Sequence, residues 1–408
     1  MLIIAGLLQS CVNEVDDLFD TPAQQRVNEE IKACRALLTS SEFGWTMDYY
    51  PSAVQKYGGF AMTVKFEGSN ATVASEITGD PTETATSLYS LKADMGPTLN
   101  FDTYNYILHY FSDPDNSGGA GLGKGYEGDY EFIIQSHSEN EIILKGKKTK
   151  NIIRMTRLDK PSQDYLAPIL SNYASIQGEV GILGYDGVLN GQNISISLPA
   201  DRRLNIQAGN SLAQAAYIYT ATGIRFYEPV SIAGTELSSL EWSDTKKTFI
   251  IDNTETTPVL DPTYEKYKRF LGEYTMIYDY GSQKRQIDVE LVFKQFNASA
   301  KVYTLQGLPF PLEVRYNTER DCMEILTQKI GECDVAVWEI YAPGSLTWAA
   351  GLGLIGQLKE DTDNVYEFVD NGVWGTKIAR ALILWSASGE YKGFGGDTRF
   401  QNIVLIKK

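Results

Sequence analysis

The alternation of apolar and polar positions changes period along the chain, and the changes mark out its elements. In GFAMTVKF, Phe60, Met62, Val64 and Phe66 fall on one face, the period-two pattern of a half-buried strand. Further strand-like runs lie near 72–77, 86–93, 99–111 and 130–136, then in EIILKG and NIIRMTRL up to residue 158. Gly, Asn, Asp and Ser cluster between them, as hairpin loops require. The order reads as an antiparallel meander. Before it, Val27, Ile31, Cys34 and Leu38 make one apolar stripe at helical spacing, predicting a helix over 22–39. Thr21 is its expected N-cap, with Pro22 at the first helical position and Gln24 completing a capping box. A second helix is expected over 162–177, interrupted or kinked at Pro168.

Strands resume with ISISL, AAYIYTATG, IRFYEPV, SLEW and TFII. NTETTPVLDP, residues 253–262, is polar with two prolines and reads as a linker. Asp261, Pro262 and Gly272 then frame a short helix over about 262–271, and some eight strands follow to the C-terminus. The fold class expected is mostly β: two antiparallel β domains, barrel- or sandwich-like, a lipocalin-like barrel among the forms, each preceded by a short capping helix. Residues 21–252 form the N-terminal helix plus β domain and 263–408 the C-terminal one. A faint echo links the halves. A helix leads into Trp45-Thr46-Met47 in the first and into Tyr274-Thr275-Met276 in the second.

The first ten residues, MLIIAGLLQS, are apolar but far too short to span a bilayer, which takes about 20. They match the apolar core of a secretory signal. Leu8-Gln9-Ser10-Cys11 resembles the lipobox of bacterial lipoproteins, which implies lipidation at Cys11 and a tether over 11–20. Each buried acyl methylene contributes about 0.8 kcal/mol of anchoring. The absence of Lys or Arg before Cys11 suggests a signal peptide (residues 1–10) truncated at its start. Glu14, Asp16 and Asp17 resemble the acidic export tag of Bacteroidetes surface lipoproteins; a solvated acidic linker is the competing reading. The expected location is the outer membrane, lipid-anchored and facing the exterior.

Composition is that of an ordinary globular protein, 43% apolar and 22% charged. The net charge of −16 argues against nucleic acid as a partner, since that needs a basic footprint. Cysteine and histidine are too few, and wrongly spaced, for a structural zinc site. Cys34 reads as a buried thiol. Cys322 and Cys333 flank a strand-like segment and are expected to pair across a hairpin if the compartment is oxidising.

Candidate chemistry is sparse. Asp113, Asp115 and Ser117 begin a stretch spaced like a calcium loop, but Lys124 stands where a bidentate Glu belongs. The competing reading is a hairpin loop, and no other cofactor is implied. His109 and His137 are the only histidines, and no G-x-S-x-G elbow is present. A glycoside hydrolase would need two acids flanking a cleft; Asp129, Glu131, Asp288, Glu290, Glu339 and Asp397 are among many candidates, with nothing to promote a pair. Trp348 and Trp374 sit among turn residues and are expected to contact a ligand, or else to plug a barrel end.

Several runs bear a family resemblance: Phe19-Asp20, Phe43-Gly44-Trp45, Tyr49-Tyr50-Pro51, Tyr57-Gly58-Gly59-Phe60, Gly128-Asp129-Tyr130-Glu131-Phe132, Leu144-Lys145-Gly146-Lys147-Lys148, and Thr222 through Pro229. In these the chain is similar to an uncharacterised Bacteroidetes surface lipoprotein family, a domain of unknown function. The resemblance implies a cell-surface lipoprotein encoded near nutrient-import machinery, and carries no catalytic residues. The expectation is non-enzymatic binding of a glycan or other nutrient, or assistance to an outer-membrane uptake complex. A glycan-acting hydrolase and an adhesin or envelope-interaction module are the alternatives.

Overall fold

The computed structural model describes residues 23–116, 123–200, 202–297, 299–330, 333–340, 346–347, 351–373, 375, 378–386 and 396–408. These residues are mostly β, in antiparallel sheets that divide into two compact units. Residues 1–178 and 184–258 belong to the first unit, 179–183 and 259–408 to the second.

The first unit opens with helix α1 (Ala23–Thr39). Its apolar stripe turns inward: Cys34 and Leu38 are buried in the core of the sheet that follows. That sheet has eight strands in sequence order, from Trp45–Tyr49 to Ile152–Thr156. Its two edges meet. Trp45 bridges Arg157, the Leu158 N–H donates to the Gly44 carbonyl at 3.0 Å, and the Thr156 N–H donates to Thr46 Oγ1 at 3.0 Å. A meander whose ends pair is a closed barrel, which leaves no edge to aggregate. The Trp45 indole N–H donates to the Leu38 carbonyl at 2.9 Å and ties helix to barrel.

Three of the residues that carried the family resemblance, Tyr49, Asp129 and Lys148, meet in one network here. The Tyr49 hydroxyl donates to the Asp129 carbonyl and accepts the Asp129 N–H, at 2.9 and 2.8 Å. The Asp129 carboxylate accepts the N–H groups of Lys148 and Thr149, at 2.6 and 2.9 Å. A carboxylate committed to two backbone donors holds a loop in place.

Helix α2 (Ser162–Gln177) runs through Pro168 and starts a second meander. This is a difference from the single N-terminal β domain expected over 21–252. The first unit contains two separate sheets, each with its own helix. Asn172 on α2, buried, donates to the carbonyls of Thr220 and Gly223 at 2.9 and 2.8 Å. The second meander runs from Ile182–Leu189 to Thr248–Ile251, with Thr254–Glu255 at one end of the strand order and Thr257–Leu260 at the other. Only Thr256 separates those two short strands, so this sheet also closes on itself. The stretch read as a linker is therefore largely strand. Buried Thr256 makes it so: its hydroxyl donates to the Phe249 carbonyl at 2.8 Å, and the Thr248 hydroxyl donates to its carbonyl at 2.7 Å.

In the second unit the Asp261 carboxylate accepts the Thr263 N–H at 2.8 Å and caps helix α3 (Pro262–Lys268). A third eight-strand ring follows, from Gly272–Tyr280 to Arg399–Lys407, and these two strands pair with each other. Gln328–Ile330, Cys333–Ile340 and Ala379–Trp385 extend it as a flap off its last strand. The echo noted in the sequence has a structural counterpart. Trp45 opens the first strand after α1 and Tyr274 is the third residue of the first strand after α3, and the Tyr274 hydroxyl donates to the Phe270 carbonyl at 2.6 Å, much as Trp45 donates to Leu38.

Cys322 is a buried free thiol, so the expected bridge to Cys333 is not formed. The topology gives the reason. The strand starting at Cys322 pairs with Leu312–Asn317 and Gly353–Leu358, whereas the strand starting at Cys333 pairs with Gln328–Ile330 and Ala379–Trp385. No hairpin sets the two cysteines opposite each other.

Candidate functional site

The first unit holds a cavity of about 840 Å³ whose walls come from the first barrel, α2 and the second barrel. Its construction starts at the loop 51–59. The Asn151 side-chain amide donates to the carbonyls of Tyr50 and Ser52, at 2.8 and 2.6 Å, and fixes the loop's entry. At its exit the Gly59 N–H donates to the Tyr217 carbonyl at 2.9 Å, docking the loop on the second barrel. Gly58 has φ +67°, and a Cβ there would lie 2.1 Å from Cβ of Arg202. Only glycine fits that conformation and that approach together.

Arg202 and Glu76 form the floor. Their side chains are 5% and 1% exposed and pair through two contacts, Nη1–Oε1 at 3.0 Å and Nη2–Oε2 at 3.2 Å. Arg202 also donates to the Gly59 carbonyl at 2.7 Å, and Glu76 accepts the Ala61 N–H at 2.6 Å. Glu76 opens a single 3-10 turn, Glu76–Thr78, capped by the Ser75 hydroxyl. The guanidinium lies 4.2 Å from the Phe60 ring centroid, 4.8 Å from Tyr219 and 5.6 Å from Tyr173. Arg202 itself sits at φ +59°, which costs a side-chain-bearing residue about 1–2 kcal/mol and persists only where the surroundings dictate it.

Above the floor the walls are aromatic. Tyr110 and Tyr126 stack at 5.4 Å with their planes 26° apart, and Tyr57 meets Tyr126 edge-on at 4.9 Å. Tyr173 and Leu170 face in from α2, and Lys56 sits at the rim. Rings beside a hydrogen-bonded charge pair suit a ligand with apolar faces and polar edges. Glu76 is the one carboxylate among the described lining residues, and Arg202 and Ala61 already bind it.

One residue before Tyr110, the His109 ring lies between Tyr104 and Tyr130, at 5.4 and 5.3 Å. Burial holds its pKa below the ordinary histidine value, against the opposing pull of the Asn105 backbone and the Asp113 carboxylate. The unfolded chain therefore takes up a proton here more readily than the folded one. The stability this contributes is present above the unfolded value of about 6.5 and is lost as pH falls through the folded value. Wild type should lose melting temperature on going from pH 7.5 to pH 5 more than His109→Asn does; equal losses in thermal scans would contradict this.

The second unit has a cavity of similar size, about 860 Å³. Most of its charges are engaged with the protein. Asp370 accepts the N–H groups of Gly372 and Ala379 at 2.8 and 2.7 Å, and Asp321 accepts the Tyr316 hydroxyl and pairs with Arg269 at 3.0 Å. Phe270 and Tyr366, its aromatic lining, are 1% and 9% exposed and offer little ring surface. Burial and then nearby Glu324 push its Cys322 thiol up to about 11, which keeps it protonated and unreactive. The aromatic cavity of the first unit is the better-formed ligand site.

Most of the residues expected from sequence as a site fall outside the described part of the chain. Trp348, Trp374 and Ser117 lie outside the described residues, as do Cys11, Glu14, Asp16, Asp17 and the capping residues Thr21 and Pro22. Asp113 accepts the Asp115 N–H at 2.9 Å and the Tyr104 hydroxyl at 3.1 Å, the arrangement of an Asx turn. Among the acids considered for hydrolysis, Asp397 pairs with Arg285 and accepts from Tyr278, Asp288 pairs with Lys408, and Glu131 pairs with Lys147. Sequence reasoning missed Arg202 and Glu76, whose spacing of over a hundred residues carries no local signal. The one available hint was Gly58-Gly59, a pair of adjacent glycines before an aromatic strand.

Three helix-led meanders with an aromatic cavity between the first two define a multi-barrel β protein. The chain belongs to the family described as Domain of unknown function (DUF4302), whose profile matches residues 15–244, more than half of its length. A second profile, described as a domain of unknown function (DUF4987), matches residues 252–385. The curated proteins and the solved structures give no significant match.

Proposed function

We propose that this chain is a surface lipoprotein that binds a glycan, or a nutrient of like chemistry, in the cavity above Arg202 and Glu76, and does not transform it. The observation that carries this reading is the pairing of a tyrosine-walled cavity with a buried, bidentate charge pair at its floor. Pyranose rings present C–H faces that stack on aromatic rings and hydroxyl edges that hydrogen-bond to charged groups. A hydrolase would instead need two carboxylates about 5–9 Å apart across the ligand. Glu76 stands without such a partner among the described lining residues and is tied to Arg202. The lipobox-like run ending at Cys11 and the acids after it support lipid anchoring at the outer membrane, facing outward, where delivery to an uptake complex would give binding a purpose. Among the described residues no helix is long and apolar enough to cross a membrane.

The test is a glycan array and turnover screen with a soluble form starting at Leu18, which retains every described element. Binding without turnover is the expected result. Tyr126→Ala should weaken it at least about tenfold, equivalent to about 1.4 kcal/mol. Release of reducing ends, or unchanged affinity in Tyr126→Ala, would count against the reading.

A further inference from the structure

Between α1 and the first barrel, three metal-ligating side chains converge. Glu30 and Cys34 are four residues apart on α1 and so share one helix face. His137 ends the strand Glu131–His137 of the first barrel. His137 Nε2 is 2.7 Å from Glu30 Oε1, and Cys34 Sγ is 3.8 Å from the same oxygen. One ligand atom from each residue lies within 4.8 Å of the other two.

We propose that Glu30, Cys34 and His137 bind a divalent transition metal, zinc being the best fit, in an open site whose remaining position is taken by water. Carboxylate oxygen, thiolate sulfur and imidazole nitrogen are all zinc ligands, bonding at about 2.0–2.3 Å. Bonds of that length at tetrahedral angles set ligand atoms about 3.3–3.8 Å apart. The Cys34–Glu30 separation already falls there, and a metal need only open the Glu30–His137 contact by a rotamer adjustment of two exposed side chains. Calcium and magnesium fit poorly, since they take oxygen ligands.

The surroundings suit an open site. Cys34 is 1% exposed and packed in the barrel core, so the sulfur is held in place, while Glu30 and His137 are exposed and give the ion a way in from solvent. Without metal, the Cys34 S–H donates to the Glu30 carboxylate. On binding, the thiol proton leaves to water, metal–sulfur, metal–oxygen and metal–nitrogen bonds form, and no electron changes hands. Three protein ligands plus water is the coordination of zinc sites that keep one position available. No zinc spacing is visible along the chain because two ligands come from one helical turn and the third from a strand about a hundred residues on.

The experiment is titration of the metal-free full chain with cobalt(II), followed by displacement with zinc. Wild type should bind one equivalent, with thiolate-to-cobalt charge-transfer absorbance in the near ultraviolet that zinc abolishes. His137→Gln and Glu30→Gln, both at exposed positions, should each weaken zinc at least tenfold, and Cys34→Ser should remove the charge-transfer band. If the buried Cys34 variant fails to fold, the two exposed variants still decide. A cobalt spectrum without a thiolate band, or zinc affinity unchanged in both His137→Gln and Glu30→Gln, would overturn the assignment.

Discussion

Arg202→Ala is expected to lower the unfolding free energy of the first unit by about 3–5 kcal/mol, the typical loss when one partner of a buried ion pair is removed. The reason is asymmetry. With Arg202 present, the Glu76 carboxylate has a bidentate partner and the Ala61 N–H. Without it, a charge 1% exposed keeps only that N–H. Glu76→Leu alone leaves an uncompensated guanidinium and should cost a similar amount. The double variant Arg202→Met, Glu76→Leu removes both charges and should lose far less than the two singles combined, because an apolar pair of similar volume has no desolvation penalty to offset. Urea unfolding of the four proteins measures the coupling. Additive losses would mean the pair does not act as a unit. The double variant has a second use: it should stay folded yet fail to bind, which separates the floor's role in recognition from its role in stability.

Gly58→Ala is expected to be about as damaging, at roughly 3 kcal/mol or more. Two penalties combine there. A Cβ at φ +67° costs about 1–2 kcal/mol. That Cβ would also meet Arg202 Cβ at 2.1 Å and the Arg202 carbonyl at 2.7 Å, and overpacking of this kind costs about 1–3 kcal/mol. Neither neighbour is the far end of a flexible chain, so the backbone of the loop or of the second barrel must move. Gly68→Ala is the natural comparison. It has a similar φ of +61° with nothing within 4 Å of the added atom, so it should lose only the conformational part. Similar denaturation midpoints for Gly58→Ala and Gly68→Ala would show that the contact between loop and second barrel is looser than described.

Much of the fold was legible because its signals are local. The stripe Val27, Ile31, Cys34, Leu38 placed α1, and the boundaries expected for α2 coincide with Ser162–Gln177. Asp261 and Pro262 announced α3, though it stops at Lys268, a few residues before the expected end. Closure was not legible. An alternating strand looks the same in an open sheet and in a barrel, and the pairing of Trp45 with Arg157 spans the whole meander. The second ring was hidden for the same reason: nothing in the alternation of the strands after α2 shows that they close on themselves rather than extend the first sheet. Thr256 misled in the opposite direction. A threonine-rich, proline-bearing stretch looks like a linker until its hydroxyl is seen bonded to Phe249.

The site was hidden for a related reason. A lone Arg in a turn ordinarily reads as solvated surface, and nothing near Arg202 in sequence announces Glu76 or Tyr57. The glycines of Tyr57-Gly58-Gly59-Phe60 do carry information. Gly58 accommodates Arg202, and Gly59 lies so close to the Tyr50 ring that a Cβ would sit 2.5 Å from it. Their role became clear only once the second barrel was in place.

The most direct test of the account is the position of a bound glycan in a crystal structure of the soluble form. The account predicts a sugar ring stacked against Tyr57, Tyr126 or Tyr173, with hydroxyls on Arg202 or Glu76. A ligand seated instead against Arg269 and Arg320 in the second unit, with the tyrosine-walled cavity empty, would contradict it.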